Sequence, residues 1–192
     1  MKKLLVVLLA AALAMNLSGC FLAFMGNDET SQTITDNSDT PKDEESEEET
    51  QDENVARVGQ TVTGEKWAIS LQSAKVFNEV ASEYFADTPE DGNVYLVLFF
   101  DVQNVSDEDD YFNYFNIESY VDGYNQSIKI LMNKPDGVDT LTGDIAAGKK
   151  LKGQLAWEVP EGWTELEVSY KDNLFGNEKD ATFVVTPDDI TE

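Results

Sequence analysis

One thiol, thirty-eight carboxylates and no imidazole define the chemistry open to this chain of 192 residues. The absence of histidine removes the commonest general base, the commonest zinc ligand and the usual partner of a Ser or Cys nucleophile. A single cysteine, Cys20, allows neither an intrachain disulfide nor a thiolate cluster. Glycoside hydrolysis needs two carboxylates at a set separation, and with acids spread everywhere nothing singles out such a pair. No phosphate-cradling glycine loop is present either. These absences argue against an enzyme and call for no cofactor.

Two acidic loops and one aromatic stretch remain as candidates. Asp107-Glu108-Asp109-Asp110 comes after a long apolar run, and Asp87, Glu90 and Asp91 fall in another loop. A hard cation such as Ca²⁺ takes about six to eight oxygens, so Asp107, Asp109 and Asp110 are candidate metal ligands. Neither cluster has calcium-loop spacing, and a solvated acidic turn explains both equally. The aromatic stretch is Tyr111-Phe112-Asn113-Tyr114-Phe115, with Tyr120 and Tyr124 beyond it. On a strand, Phe115 and Ile117 would point inward, with Tyr114 and Tyr120 on the other face. Tyrosine offers large contact area at low entropic cost, so Tyr111, Tyr114, Tyr120 and Tyr124 form a candidate binding face. Cross-strand packing is the competing use of the same aromatics.

Cys20 has the clearest context. Lys2 and Lys3 precede twelve uninterrupted apolar residues, Leu4 to Met15, and Asn16 ends the run. This is the layout of a secretory signal peptide, and it is too short for a bilayer span of roughly 20 residues. At its foot, Leu17-Ser18-Gly19-Cys20 resembles the lipobox of bacterial lipoproteins: an aliphatic residue, two small residues and a cysteine. The resemblance implies a diacylglyceryl group on the Cys20 thiol, cleavage between Gly19 and Cys20, and usually acylation (palmitate or similar) of the new amino group. Two or three acyl chains give a stable anchor where one gives marginal binding. The alternative is an uncleaved signal anchor extended through Phe21-Leu22-Ala23-Phe24-Met25, which Asn16, Ser18 and Gly19 interrupt. The expected location is therefore the extracytoplasmic face of the cell membrane.

Beyond Cys20 the chain divides by charge. Phe21 to Asn54 holds twelve acids and one base, Lys42, with Ile34 the single aliphatic between Thr30 and Gln51. Such a segment buries too little apolar surface to offset its ordering entropy. It reads as a disordered acidic tether, either a plain spacer or a recognition tail for a basic partner. Removing residues 1–19 gives a formal charge of 11 − 38 = −27. That charge repels nucleic acid and anionic surfaces and favours a cationic protein, peptide or other ligand. The expected organisation is residues 1–19 as signal peptide, 20–54 as lipidated tether and 55–192 as one folded domain.

Positioning falls to that domain. Lys66 to Phe77 puts Trp67, Ile69 and Leu71 on one face, and Asn93 to Asn104 puts Val94, Leu96, Leu98, Phe100 and Val102 on one face. The other face of this second run starts apolar and ends polar, the pattern of a central strand partly covered on its second side. Asp122-Gly123 predicts a hairpin turn from Phe115–Val121 into Tyr124–Leu131. Leu151, Gly153, Leu155, Trp157 and Val159 point inward in the next run, with Lys152, Gln154 and Glu158 outward. Leu166, Val168 and Tyr170 alternate, as do Phe183 and Val185. Seven or eight short strands predict an all-β antiparallel sandwich, with Ala81 to Ala86 as a helical turn.

Three stretches carry a further resemblance. They are Gly59-Gln60-Thr61-Val62 leading into Trp67-Ala68-Ile69-Ser70-Leu71, the run Gly92 to Ser106 ending in Asn104-Val105-Ser106, and Ala147 to Pro160 with Gly148, Gly153 and the closing Val159-Pro160. Together they resemble an uncharacterised domain common on Gram-positive lipoproteins. Ala147 departs from the pattern, since a proline is frequent there. The resemblance implies an immunoglobulin-like β-sandwich and no particular activity.

Overall fold

The structure, a computed structural model, describes residues 33–36, 55–172 and 179–191. The expected signal peptide, the expected lipobox with Gly19 and Cys20, and most of the expected acidic tether lie outside the described residues.

Among the described residues thirteen strands run in chain order: β1 Thr33–Asp36, β2 Gln60–Thr63, β3 Trp67–Phe77, β4 Val80–Ala81, β5 Ala86–Asp87, β6 Asn93–Asn104, β7 Asp110–Phe112, β8 Ile117–Val121, β9 Tyr124–Asn125, β10 Gly143–Ile145, β11 Lys150–Pro160, β12 Leu166–Tyr170 and β13 Ala181–Val185. One sheet runs β1-β2-β3-β6-β11 and the other β13-β12-β8-β9, with β7–β10 and β4–β5 as separate pairs. Every ladder between these strands is antiparallel. The expected all-β antiparallel sandwich is what forms. The strands beyond the expected seven or eight are pieces of two to four residues in stretches that read as loops or tether.

β6 is the axis. It pairs with β11 from Asn93↔Pro160 to Gln103↔Lys150, and with β3 from Tyr95↔Phe77 to Asn104↔Trp67. Its inward residues Leu96, Leu98 and Val102 are fully buried against Leu71, Leu155, Trp157 and the facing sheet's Leu166, Val168 and Phe183. Each such side chain contributes about 1.5–3 kcal/mol by leaving water. Its other face is covered at one end. Tyr95 and Val97 pack with Val80, Leu131 and Ala156 in a second, smaller cluster.

A bulge at Gln72 keeps β3 in phase. Leu71 pairs with Phe100 and Ser73 with Phe99, so Gln72 is the extra residue. Because a strand alternates faces every residue, this insertion turns Ala74 inward, where it is fully buried, and Ser73 outward. Asp122 (φ 50°) and Gly123 (φ 80°) make the two-residue turn into β9. Both central residues carry positive φ, as a type I′ hairpin requires.

Five expectations fail locally. The strand expected over Tyr124–Leu131 ends at Asn125. Ala81 to Ala86 is a hairpin, not a helical turn: Ala81 pairs with Ala86, and the Ser82 N–H donates to the Phe85 carbonyl at 2.9 Å. Phe115 is 71% exposed. A 3₁₀ turn over Tyr114–Asn116, capped by the Asn113 side chain accepting from the Phe115 N–H, delays β8 until Ile117 and breaks the alternation. Gln154 points outward yet is buried, because Asp139 to Leu141 covers it: its N–H donates to the Asp139 carbonyl and its carbonyl accepts from the Leu141 N–H. Finally, Thr33–Asp36 lies within the predicted disordered tether but pairs with β2, Ile34 opposite Val62. Ile34 also packs against the core, so the tether's lone aliphatic is the side chain that docks.

Candidate functional site

The four candidate tyrosines do not share a face. Tyr111 is exposed on β7, its hydroxyl accepting from the Thr142 hydroxyl at 3.0 Å. Tyr114 is half-buried against the core, its ring 4.6 Å from that of Phe115. Tyr120 is half-buried and donates to the Glu118 carboxylate at 2.8 Å. Tyr124 stands 79% exposed beside the Asp122-Gly123 turn, at the end of β8 opposite the Tyr114–Asn116 turn. The single aromatic binding face therefore breaks up, for the same reason that Phe115 turns outward. Phe112 goes to the core instead, stacked at 4.8 Å on Tyr170 and edge-on at 5.3 Å to Trp67.

The acidic loop is structural where its bonds can be traced. The Asp109 carboxylate accepts the Ala147 N–H at 2.9 Å, and that of Asp110 accepts the Tyr111 N–H at 2.8 Å. Lys66 stands 3.6 Å from Asp110 and 2.8 Å from Asp172. The Asp172 carboxylate is the main reason the Lys66 ammonium is held above its ordinary range. Among the described residues no three metal-ligating side chains gather, so Asp107, Asp109 and Asp110 do not converge on a cation position.

The residues of the recurring stretches are joints. Asn104 is fully buried, and its side-chain amide donates to the carbonyls of Glu108 (2.7 Å) and Ile145 (2.8 Å). Its carbonyl oxygen accepts from the Ser106 N–H and hydroxyl at 3.0 and 2.7 Å. One side chain thus fastens the acidic loop and β10 to the end of β6. Gly148, at φ 71°, turns the chain into β11. Gly153 admits the covering segment: a Cβ there would stand 2.4 Å from the Leu141 Cα. Trp157 is buried with its indole N–H donating to the Ser119 hydroxyl at 2.8 Å, which itself donates to the Gln126 carbonyl.

An outer layer has the exposed apolar residues that sequence reading missed. The β4–β5 hairpin and the strap 129–133 lie over Tyr95 and Val97. Leu131 is buried while its neighbours Ile130 and Met132 face out, and Tyr84 and Phe85 project from the hairpin. Asn133 ties the two together, its side-chain amide donating to the Val80 carbonyl at 2.8 Å and to Asp87 at 3.0 Å. Glu158 ties both to β11. It accepts the Glu90 N–H and pairs with Lys129, each at 2.7 Å, and the Lys129 ammonium is the main reason its carboxyl is held below the ordinary range. The signal available in sequence was the uninterrupted apolar run Ile130-Leu131-Met132, two residues more than one buried strand face can take.

Among the described residues no helix is long and apolar enough to cross a membrane. No match to a curated protein was found. Solved structures share the fold. The yjhA protein of Bacillus subtilis superposes with a TM-score of 0.51 at 12% identity, covering 69% of this chain and 98% of its own. A candidate lipoprotein of Staphylococcus aureus gives 0.50 at 11%, covering 68% and 90%. A candidate lipoprotein of Bacillus subtilis, ycdA, gives 0.49 at 18% and covers 65% of this chain; the chain spans 37% of that relative's length. Residues 56–181, the body of the sandwich, match one family throughout, and the chain belongs to that family, the domain of unknown function DUF4352.

Proposed function

We propose that this chain is a lipid-anchored lipoprotein that displays its sandwich at the extracytoplasmic face of the cell membrane and works by binding rather than catalysis. The observation that carries the reading is Leu17-Ser18-Gly19-Cys20 at the foot of a twelve-residue apolar run, in a chain with no other cysteine. In that setting the Cys20 thiol has neither a disulfide partner nor metal-site companions, and lipidation is the chemistry with motif support. The likeness to solved structures described as candidate lipoproteins agrees with it.

A binding role is supported by what the polar groups do. Asp109, Asp110 and Glu158 are engaged with backbone N–H groups and lysines that hold the fold together, and the chain has no histidine to act as a base. The partner chemistry that suits the charge is a cationic protein or peptide; nucleic acid is disfavoured by the same charge.

Fatty-acid labelling of expressing cells tests the anchor. The wild-type chain is expected to take up label and sediment with membranes, and Cys20→Ala to lose the label. Label retained by that variant would overturn the reading.

A further inference from the structure

Four large apolar side chains crowd the outer layer. Tyr84 is 85% and Met132 77% exposed, and Phe85 and Ile130 are each about half exposed. The two segments that carry them are held together. The Asn133 amide reaches the Phe85 carbonyl at 3.3 Å, and the Met132 N–H donates to Asp87 at 3.2 Å, so the hairpin and the strap present one surface. The outward residues of the strap add nothing to the cluster beneath, which Leu131 completes. Tyr, Phe and Met are the side chains enriched at the centres of protein interfaces.

The charge around them selects the occupant. From Val76 to Ile128 the chain has no lysine or arginine, while Glu79, Glu83, Glu90 and Asp91 border the hairpin. The lysines nearby are already neutralised: Lys75 by Asp136 at 3.1 Å, Lys129 by Glu158 at 2.7 Å and Lys134 by Asp139 at 2.5 Å. The rim is therefore negative. A second copy of the chain would bring the same negative rim against it, and an anionic lipid surface would be repelled as well. Position also argues against the membrane. The tether joins the fold at Thr33, opposite Thr63 and, through Ala68, level with Gln103. The patch lies over Tyr95 and Val97, eight residues back along β6 from Gln103 to Tyr95, or roughly 26 Å at the rise of a strand. The strand that leads to the anchor enters at one end of the sandwich and the patch sits at the other.

We infer that Tyr84, Phe85, Ile130 and Met132 form the docking surface for a cationic, amphipathic segment of a partner protein, apolar side chains seated on the patch and Lys or Arg on its rim. This rests on the reading of the chain as a displayed binding module and names the face that binds.

The test uses the full chain in phosphatidylcholine nanodiscs, with empty nanodiscs as blank, and three labelled peptides monitored by anisotropy. One is an amphipathic Leu/Lys peptide, one a polar peptide of equal positive charge, and one an amphipathic Leu/Glu peptide. The wild-type chain is expected to bind the Leu/Lys peptide at least about tenfold tighter than the polar one, and the Leu/Glu peptide least. In Phe85→Ser/Met132→Ser the tenfold preference should vanish while the weak, salt-sensitive binding of the polar peptide stays. Tyr124→Ser, an exposed aromatic outside the patch, should keep the preference, which controls for general stickiness. Absence of the preference in the wild type, its survival in the double variant, or equal binding of the Leu/Glu peptide overturns the inference. So does tighter binding of wild-type chain than double variant to phosphatidylglycerol vesicles with no difference on the peptide. None of these outcomes touches the lipid on Cys20, whose presence is measured separately.

Discussion

The Asp87 carboxylate accepts both the backbone N–H of Asn133, at 2.7 Å, and its side-chain amide, at 3.0 Å. This one carboxylate–amide clasp joins a hairpin to a strap 46 residues further along the chain. The same amide donates to the Val80 carbonyl, so a buried polar residue satisfies the backbone of one element while gripping the other.

Asn133→Ala keeps the backbone N–H bond to Asp87 but removes the side-chain half of that clasp and leaves the Val80 carbonyl buried with one donor fewer. The expected cost is about 1–3 kcal/mol, seen as a lower melting temperature. Amide exchange should rise first at Val80 to Asp87, since that hairpin belongs to the outer layer and the main core does not depend on it. Uniform loss of protection across β6 and β11 would show the clasp to be part of the core instead.

Gly153→Ala should destabilise more sharply than its size implies. The added Cβ would meet the Leu141 Cα at 2.4 Å, a backbone atom that cannot swing aside. Overpacking of this kind costs about 1–3 kcal/mol or more. Gly162→Ala meets open space and is the matched control, expected within about 0.5 kcal/mol of wild type. Denaturant unfolding of both variants measures the difference, and equal midpoints would mean that residues 139–141 do not cover β11 tightly.

How far the sequence could be read depended on whether one element or two determined a residue's place. Alternation within a single strand put Val94 to Val102 inward on β6, and Leu155 and Trp157 inward on β11, because one buried face enforces a period of two. The bulge at Gln72 was invisible, since it answers to the partner strand and not to β3 itself. Phe115 was misplaced because Asn113 caps a 3₁₀ turn, a local competitor to strand pairing that the aromatic count concealed. With that turn the tyrosine face dissolved. The outer patch was illegible for the opposite reason: the hairpin that bears Tyr84 and Phe85 is tied to the strap that bears Ile130 and Met132 through Asn133, a contact between segments far apart in the chain. Ile34 is the lone aliphatic between Thr30 and Gln51, yet its docking depends on Val62 at an open sheet edge.

Glu158 gives the fold a dependence on acid pH. Its carboxyl is held below the ordinary range, first by Lys129 and then by the Glu90 N–H, against the opposing effect of burial. A carboxylate with a lowered folded value contributes stability above its unfolded value, near pH 4.3. That contribution is lost as the pH falls through the lowered folded value. Glu158→Gln should therefore melt below wild type at pH 7 by the equivalent of about 1–2 kcal/mol. The gap should close below about pH 4. Melting curves from pH 7 to pH 3 check this, and a gap that widened on acidification would contradict it.

Ile34→Asp should release the Thr33–Asp36 strand from the edge of β2 without unfolding the sandwich. The side chain is half-buried against the core, so the loss of stability is modest, about 1 kcal/mol. Limited proteolysis is the sensitive measure: cleavage near residues 33–36 should speed up while residues 55–172 stay intact. Unchanged cleavage would mean that the tether is not held on this edge.

The proposed anchor is tested most directly by the mass of the mature N-terminal peptide, isolated from the membrane fraction of expressing cells. The expected peptide begins at Cys20, with a diacylglyceryl group on its sulfur. A peptide that retains Leu17-Ser18-Gly19 ahead of an unmodified Cys20 would contradict it.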